Sequence, residues 1–151
     1  MSGGIGRILL VEDNLNDVEL TLAALSGHNL ANEVVVARDG QEALDYLFRQ
    51  GPHAGRDAGD PVVILLDLKM PKVDGLQVLK KLKMDPALCQ IPVVMLTSSS
   101  EERDLVDSYR LGVNAYVVKP VDFKRFVEAV GQTGAFWALL NQVPRVGSAE
   151  P

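Results

Sequence analysis

One cysteine, one tryptophan and two histidines are all that the 151 residues offer of the side chains most used for disulfides, stacking platforms and soft metal sites. Cys89 alone excludes an internal disulfide and fits a reducing, cytoplasmic setting. No histidine is placed to activate its thiol, so Cys89 reads as a small residue following a helix. His28 and His53 fall in expected loops and take no ligand role. A basic excess is also missing. The net charge of −5 and pI near 5.0 argue against a nucleic-acid face, which gathers Lys and Arg against phosphate. No apolar run is long enough to span a bilayer. Only the short stretch Ile8–Val11 separates MSGGIGR from the Glu12–Asp13 pair, so neither a secretory signal nor a membrane partner is expected.

What the chain does have is a set of short apolar runs that end on polar residues: RILLVED at 7–13, VVILLD at 62–67, VVMLT at 93–97 and AYVVK at 115–119. Such runs alternate with helical patterns, the signature of βα units around a parallel sheet. Strands are expected at Arg7–Val11, Glu33–Ala37, Val62–Leu66, Pro92–Leu96 and Ala115–Val118. Helices are expected at about 14–26, 40–50, 76–84 and 101–110, with a last one starting near Asp122, a good N-cap. In that last helix Phe123, Phe126, Val127 and Val130 make the inner face, and the pattern runs on to Pro144. Five such units give an α/β, flavodoxin-like three-layer sandwich in strand order 2-1-3-4-5. One domain over residues 6–143 is expected, with flexible ends at 1–5 and 144–151. GPHAGRDAGDP, residues 51–61, carries no periodicity and reads as a surface insertion, longer than most helix-to-strand loops.

Parallel strands place their carboxyl ends on one edge, where open α/β sheets bind ligands. Glu12, Asp13, Asp67, Thr97 and Lys119 all fall there. Asp67 is expected to stand above the core, open to solvent, as a carboxylate able to accept a phosphoryl group. Strand 1 neighbours strand 3, so three carboxylates crowd together, and like charges need a compensating cation. A hard, oxygen-preferring ion suits them, Mg²⁺ before Ca²⁺. Lys119 can pair with the acids at rest and with phosphate oxygens afterwards, and its bond to Pro120 would suit a cis turn. Thr97 offers a hydroxyl. Taken singly, each has a bland use: Asp13 could cap a helix, Asp67 a turn, and Thr97 could serve strand preference alone. Agreement of all four strand ends is what favours a site. Asp74–Gly75 fits an architectural turn into the next helix, with glycine allowing positive φ.

Together, in order and at these separations, LLVEDN (9–14), LLDLKMPKVDG (65–75), VVMLTSSS (93–100) and AYVVKP (115–120) resemble the receiver domain of two-component response regulators over about residues 6–131. The resemblance implies a signalling switch rather than a classical enzyme, with only self-phosphorylation and autodephosphorylation chemistry. It makes Asp67 the phosphoacceptor for a sensor histidine kinase. Mg²⁺ would be held by Glu12, Asp13, Asp67 and the main-chain carbonyl of Lys69. Thr97 and Lys119 would bind phosphoryl oxygens, and Tyr116 matches the aromatic switch position. Two departures are modest: Val73 stands where methionine is usual, and Lys69 puts a long cation on the rim.

The face made by the 101–110 helix, the fifth strand and the last helix is expected to respond to the phosphate. No segment of these residues is left over for a separate output domain, so signalling is expected to pass through a protein partner or a homodimer. Phe136, Trp137 and Leu140 give the C-terminal stretch more apolar surface than a terminal turn needs, which suggests an interface. That stretch and the long 51–61 loop resemble the small single-domain regulators of bacterial phytochrome-type kinases. Two rival classes fit less well. A haloacid-dehalogenase-like phosphatase wants a second acid where Lys69 stands. A flavodoxin-type carrier wants a phosphate-cradling loop where Glu12–Asp13–Asn14 would repel FMN.

Overall fold

In the computed structural model, residues 7–26, 33–56, 59–98, 113 and 115–133 are described. Strands β1 (Arg7–Val11), β2 (Glu33–Ala37), β3 (Val63–Asp67), β4 (Val93–Thr97) and β5 (Ala115–Val118) alternate with helices α1 (Leu15–Ser26), α2 (Gly40–Phe48), α3 (Gly75–Lys83) and α4 (Phe123–Thr133). All strand pairs are parallel and the order is 2-1-3-4-5, as expected. β1, β2 and β5 have the expected bounds; β3 and β4 each start and end one residue later, so that Asp67 and Thr97 close their strands rather than follow them.

Alternation along the strands builds a core on each side of the sheet. Leu9, Val11, Ile64, Leu66, Val93 and Met95 face α2 and α3. Ile8, Leu10, Val63, Leu65, Val94 and Leu96 face α1 and α4, where Val18, Leu25, Phe126 and Ala129 are buried. The three-layer sandwich follows directly, since the central strands β3 and β4 have no exposed face. Asp122 Oδ1 accepts a hydrogen bond from Arg125 N at 2.8 Å, the expected cap of α4.

α2 is shorter than expected. It opens on Asp39, whose Oδ1 accepts from Glu42 N at 2.7 Å, and closes at Arg49, which adopts the left-handed region at φ 54°. The segment after it is better organised than a plain insertion. A 3₁₀ turn at Gly51–His53 leads to Arg56, whose guanidinium lies 4.1 Å over the Tyr46 ring. Arg56 Nε donates to the Tyr46 carbonyl at 2.6 Å and Nη1 to the Gly59 carbonyl at 2.8 Å. Together with His53, which lies edge-on to the same ring, this side chain fastens the segment onto α2, a role no hydropathy pattern could reveal.

The expected 101–110 helix, Val130, His28, the C-terminal stretch with Phe136, Trp137 and Leu140, and both chain ends lie outside the described residues and side chains. Among the described residues, no helix is long and apolar enough to cross a membrane.

Candidate functional site

Main-chain bonds continue the sheet at its carboxyl edge and set the strand ends side by side. Glu12 N donates to the Ala37 carbonyl (3.0 Å), Leu68 N to that of Leu96 (2.9 Å), and Lys119 N to that of Thr97 (2.8 Å). The side chains of Glu12, Asp67, Thr97 and Lys119 are thereby carried to one edge by the sheet itself. Three of the four buried polar or charged residues among those described, Glu12, Asp67 and Thr97, belong to this edge. Burial of polar groups is costly, so their concentration here marks a site rather than a packing accident.

Lys119 is the hub. Its Nζ lies 2.9 Å from Glu12 Oε1, 3.0 Å from Asp67 Oδ1 and 3.0 Å from Asp17 Oδ2. Glu12, Asp13 and Asp67 each bring a carboxylate oxygen to within 4.8 Å of the others. One ammonium therefore serves three acids, with the Asp13 carboxylate beside two of them. The pKa values carry the consequence. Desolvation and the Glu12 carboxylate push Asp67 up to about 7, against the opposing pull of Lys119. Burial alone would depress the Lys119 ammonium, but Glu12, Asp67 and Asp17 together hold it well above its ordinary value.

Asp67 is 3 % exposed, which corrects the expectation of a solvent-open carboxylate: its strand continues through it, and Lys119 covers it. Asp13 does not cap α1 either. Asn14 does so, its Oδ1 accepting from Asp17 N at 2.9 Å, which leaves the Asp13 carboxylate to the acid cluster. Glu12 Oε2 accepts from Asn14 N at 3.2 Å, so the first turn also orients the buried glutamate. Thr97 Oγ1 is buried without a hydrogen-bond partner. A hydroxyl in that state fits an oxygen-rich ligand, and the three carboxylates fit a hard divalent cation.

The loop from β3 to α3 is shaped by close backbone contact. Asp74 caps α3 reciprocally with Gln77, at 2.9 Å in each direction. Gly75 is needed for proximity and not for positive φ: a Cβ there would stand 2.3 Å from the Asp67 carbonyl oxygen and 3.0 Å from Leu68 Cα. A Cβ on Gly40 would run into the Val73 carbonyl in the same way. Lys69 is exposed on the rim. Tyr116 is half-buried and packs against the core on the α2 and α3 side. The Lys119–Pro120 bond is cis, and Cys89 is partly buried in the turn after α3.

Residues 8–131 match the response regulator receiver domain. The chain belongs to that family. It is 40% identical over 130 residues to response regulator Rcp1 of Synechocystis sp., covering 86% of this chain and 87% of that protein. Among solved structures it is similar to the bacteriophytochrome response regulator AtBRR, at 64% identity and a TM-score of 0.86, covering 91% of this chain and 98% of the other. A structure of Rcp1 in its Mn²⁺-bound form is similar over 92% of this chain and 99% of that one, at 38% identity and a TM-score of 0.70.

The expected Glu12, Asp13, Asp67, Thr97 and Lys119 all belong to this edge. Asp17 was not foreseen. It stands in the first turn of α1, four residues after Asp13, and that spacing was the available signal.

Proposed function

We propose that the chain is a phosphorylation-activated response regulator whose phosphoacceptor is Asp67, served by a histidine kinase. The observation that carries this reading is the convergence on Lys119 Nζ of Asp67 and Glu12, at 3.0 and 2.9 Å, beside the three-carboxylate cluster. In the transfer, an Asp67 oxygen forms a bond to phosphorus as the bond to the donor breaks, and the electron pair leaves with the donor. Lys119 neutralises the incoming oxygens and the Thr97 hydroxyl donates to one of them. Glu12, Asp13, Asp67 and the Lys69 carbonyl hold Mg²⁺, which supplies further charge neutralisation when bound.

After transfer, Thr97 is drawn toward the phosphoryl group and the half-buried Tyr116 ring moves into the space behind it. This biases the face formed by the 101–110 segment, β5 and α4, a population shift with the phosphate as effector. The receiver unit runs over residues 6–143, works in the cytoplasm and signals through a homodimer or another protein, with Phe136, Trp137 and Leu140 at the interface. Similarity to a bacteriophytochrome response regulator supports a phytochrome-type sensor kinase as the donor.

Beryllofluoride, an acyl-phosphate mimic, tests the site directly. Saturable, Mg²⁺-dependent binding with amide shifts around Asp67, Thr97 and Tyr116 is the expected result. Binding that persists in Asp67→Asn would remove Asp67 from the role. Multiple turnover on a free phosphomonoester would indicate a phosphatase instead.

A further inference from the structure

We propose that Asp17 is a positioning residue: it holds Lys119 at rest and is the partner that Lys119 gives up when Asp67 carries a phosphoryl group. This rests on Asp67 being the phosphoacceptor. An ammonium has three N–H donors, and in this structure three carboxylates crowd around Nζ: Glu12 at 2.9 Å, Asp67 at 3.0 Å and Asp17 at 3.0 Å. Asp17 Oδ2 accepts a hydrogen bond from it, and Glu12 Oε1 lies in ion-pair contact without one. A phosphoryl oxygen arriving on Asp67 therefore competes with these carboxylates for the ammonium, and the hydrogen bond to Asp17 is one it can displace.

The three partners differ in what their release would cost. Glu12 has a side chain 1% exposed and is oriented by Asn14 N; freeing it would leave a buried charge unpaired, which is strongly unfavourable. Asp67 is the group being modified. Asp17 has a side chain 31% exposed and stands in the first turn of α1, where water and the helix dipole both stabilise a carboxylate without Lys119. Release from Asp17 is the cheapest of the three. Its main chain stays anchored by Asn14 Oδ1, so the carboxylate remains close enough to recapture Lys119 once the phosphate is lost. Asp17 also adds a fourth negative charge beside an incoming anion. Both effects make it a brake on the phosphorylated state.

The bland account of Asp17 is helix-dipole stabilisation alone. That account requires a lower melting temperature in Asp17→Asn and no change in phosphoryl chemistry.

Wild type, Asp17→Asn and Asp17→Glu separate the two when titrated with beryllofluoride at saturating Mg²⁺, with Mg²⁺ affinity measured alone in parallel. Asp17→Asn is expected to bind beryllofluoride about threefold more tightly, the scale of one partly exposed ion pair. Its Mg²⁺ affinity stays level or falls, because a nearby anion is gone. Asp17→Glu, which restores a carboxylate, returns beryllofluoride affinity toward wild type. General damage to the fold would lower both affinities together. Unchanged or weaker beryllofluoride binding in Asp17→Asn overturns the role of Asp17. A wild type that takes no beryllofluoride overturns the phosphoacceptor reading itself, and with it this role.

Discussion

Lys119 and Arg56 are both drawn into the protein, and they live in opposite surroundings. Lys119 sits among Glu12, Asp17 and Asp67 with Asp13 nearby. Arg56 is held by two main-chain carbonyls and the Tyr46 ring, with Asp60 at 3.7 Å. Accordingly their proton affinities move apart. Burial, partly offset by Tyr46 and Asp60, leaves Arg56 below its ordinary value; Lys119 is raised by its acids in spite of burial. The Arg56 arrangement is structural: carbonyls, a ring and the Asp60 carboxylate stabilise one charge and fasten a loop. The Lys119 arrangement is open, with more anions than cations and a buried hydroxyl lacking a partner. A buried charge that is balanced holds structure together, whereas one that is outnumbered is ready for a ligand.

The comparison breaks most visibly under exchange of each cation for methionine. Lys119→Met should slow phosphorylation by acetyl phosphate by about a hundredfold or more, the scale of removing a preorganised charge from the reacting oxygens. Arg56→Met should leave that rate unchanged, and stopped-time phosphorylation assays read both. Gly75→Ala tests how rigidly the open site is framed, since its Cβ would meet the backbone of Asp67 and Leu68. A loss of about 3 kcal/mol in urea unfolding is expected, at the upper end for overpacking.

A pH series sharpens the contrast next. The folded state raises Asp67 to about 7, so it binds a proton more tightly than the unfolded chain does. This stabilising contribution is complete below the unfolded carboxylate value and is lost as pH rises through about 7. In Mg²⁺-free buffer, Asp67→Asn should therefore gain stability relative to wild type as pH rises from about 4 to about 7, by about 2 kcal/mol or more, and keep that gain above pH 7. Divalent cation should erase the gain. Arg56→Ala comes last, a loss of about 1 kcal/mol from the ring contact and carbonyl bonds. That loss should not vary across the same pH range.

Much of the fold could be read from hydropathy because parallel strands buried on both sides are apolar along their whole length. The strands that ran one residue further did so at Asp67 and Thr97, where hydrogen bonding continues after apolar character stops. The site was legible for a related reason: a parallel sheet forces strand ends together, so residues from four separate strand ends had only one edge to share. Asp17 escaped because its pairing with Lys119 spans 102 positions and depends on how α1 leaves the sheet. Arg56 escaped because a side chain over a ring leaves no periodic trace. Gly75 was noticed for the wrong property, since steric proximity and positive φ both select glycine.

The most direct test is peptide mapping of the protein after incubation with acetyl phosphate, with and without Mg²⁺. A single acyl phosphate on the peptide carrying Asp67, formed only with Mg²⁺, lost in Asp67→Asn and retained in Arg56→Met, is the predicted result. A modification that maps to another residue, or that survives in Asp67→Asn, would contradict it.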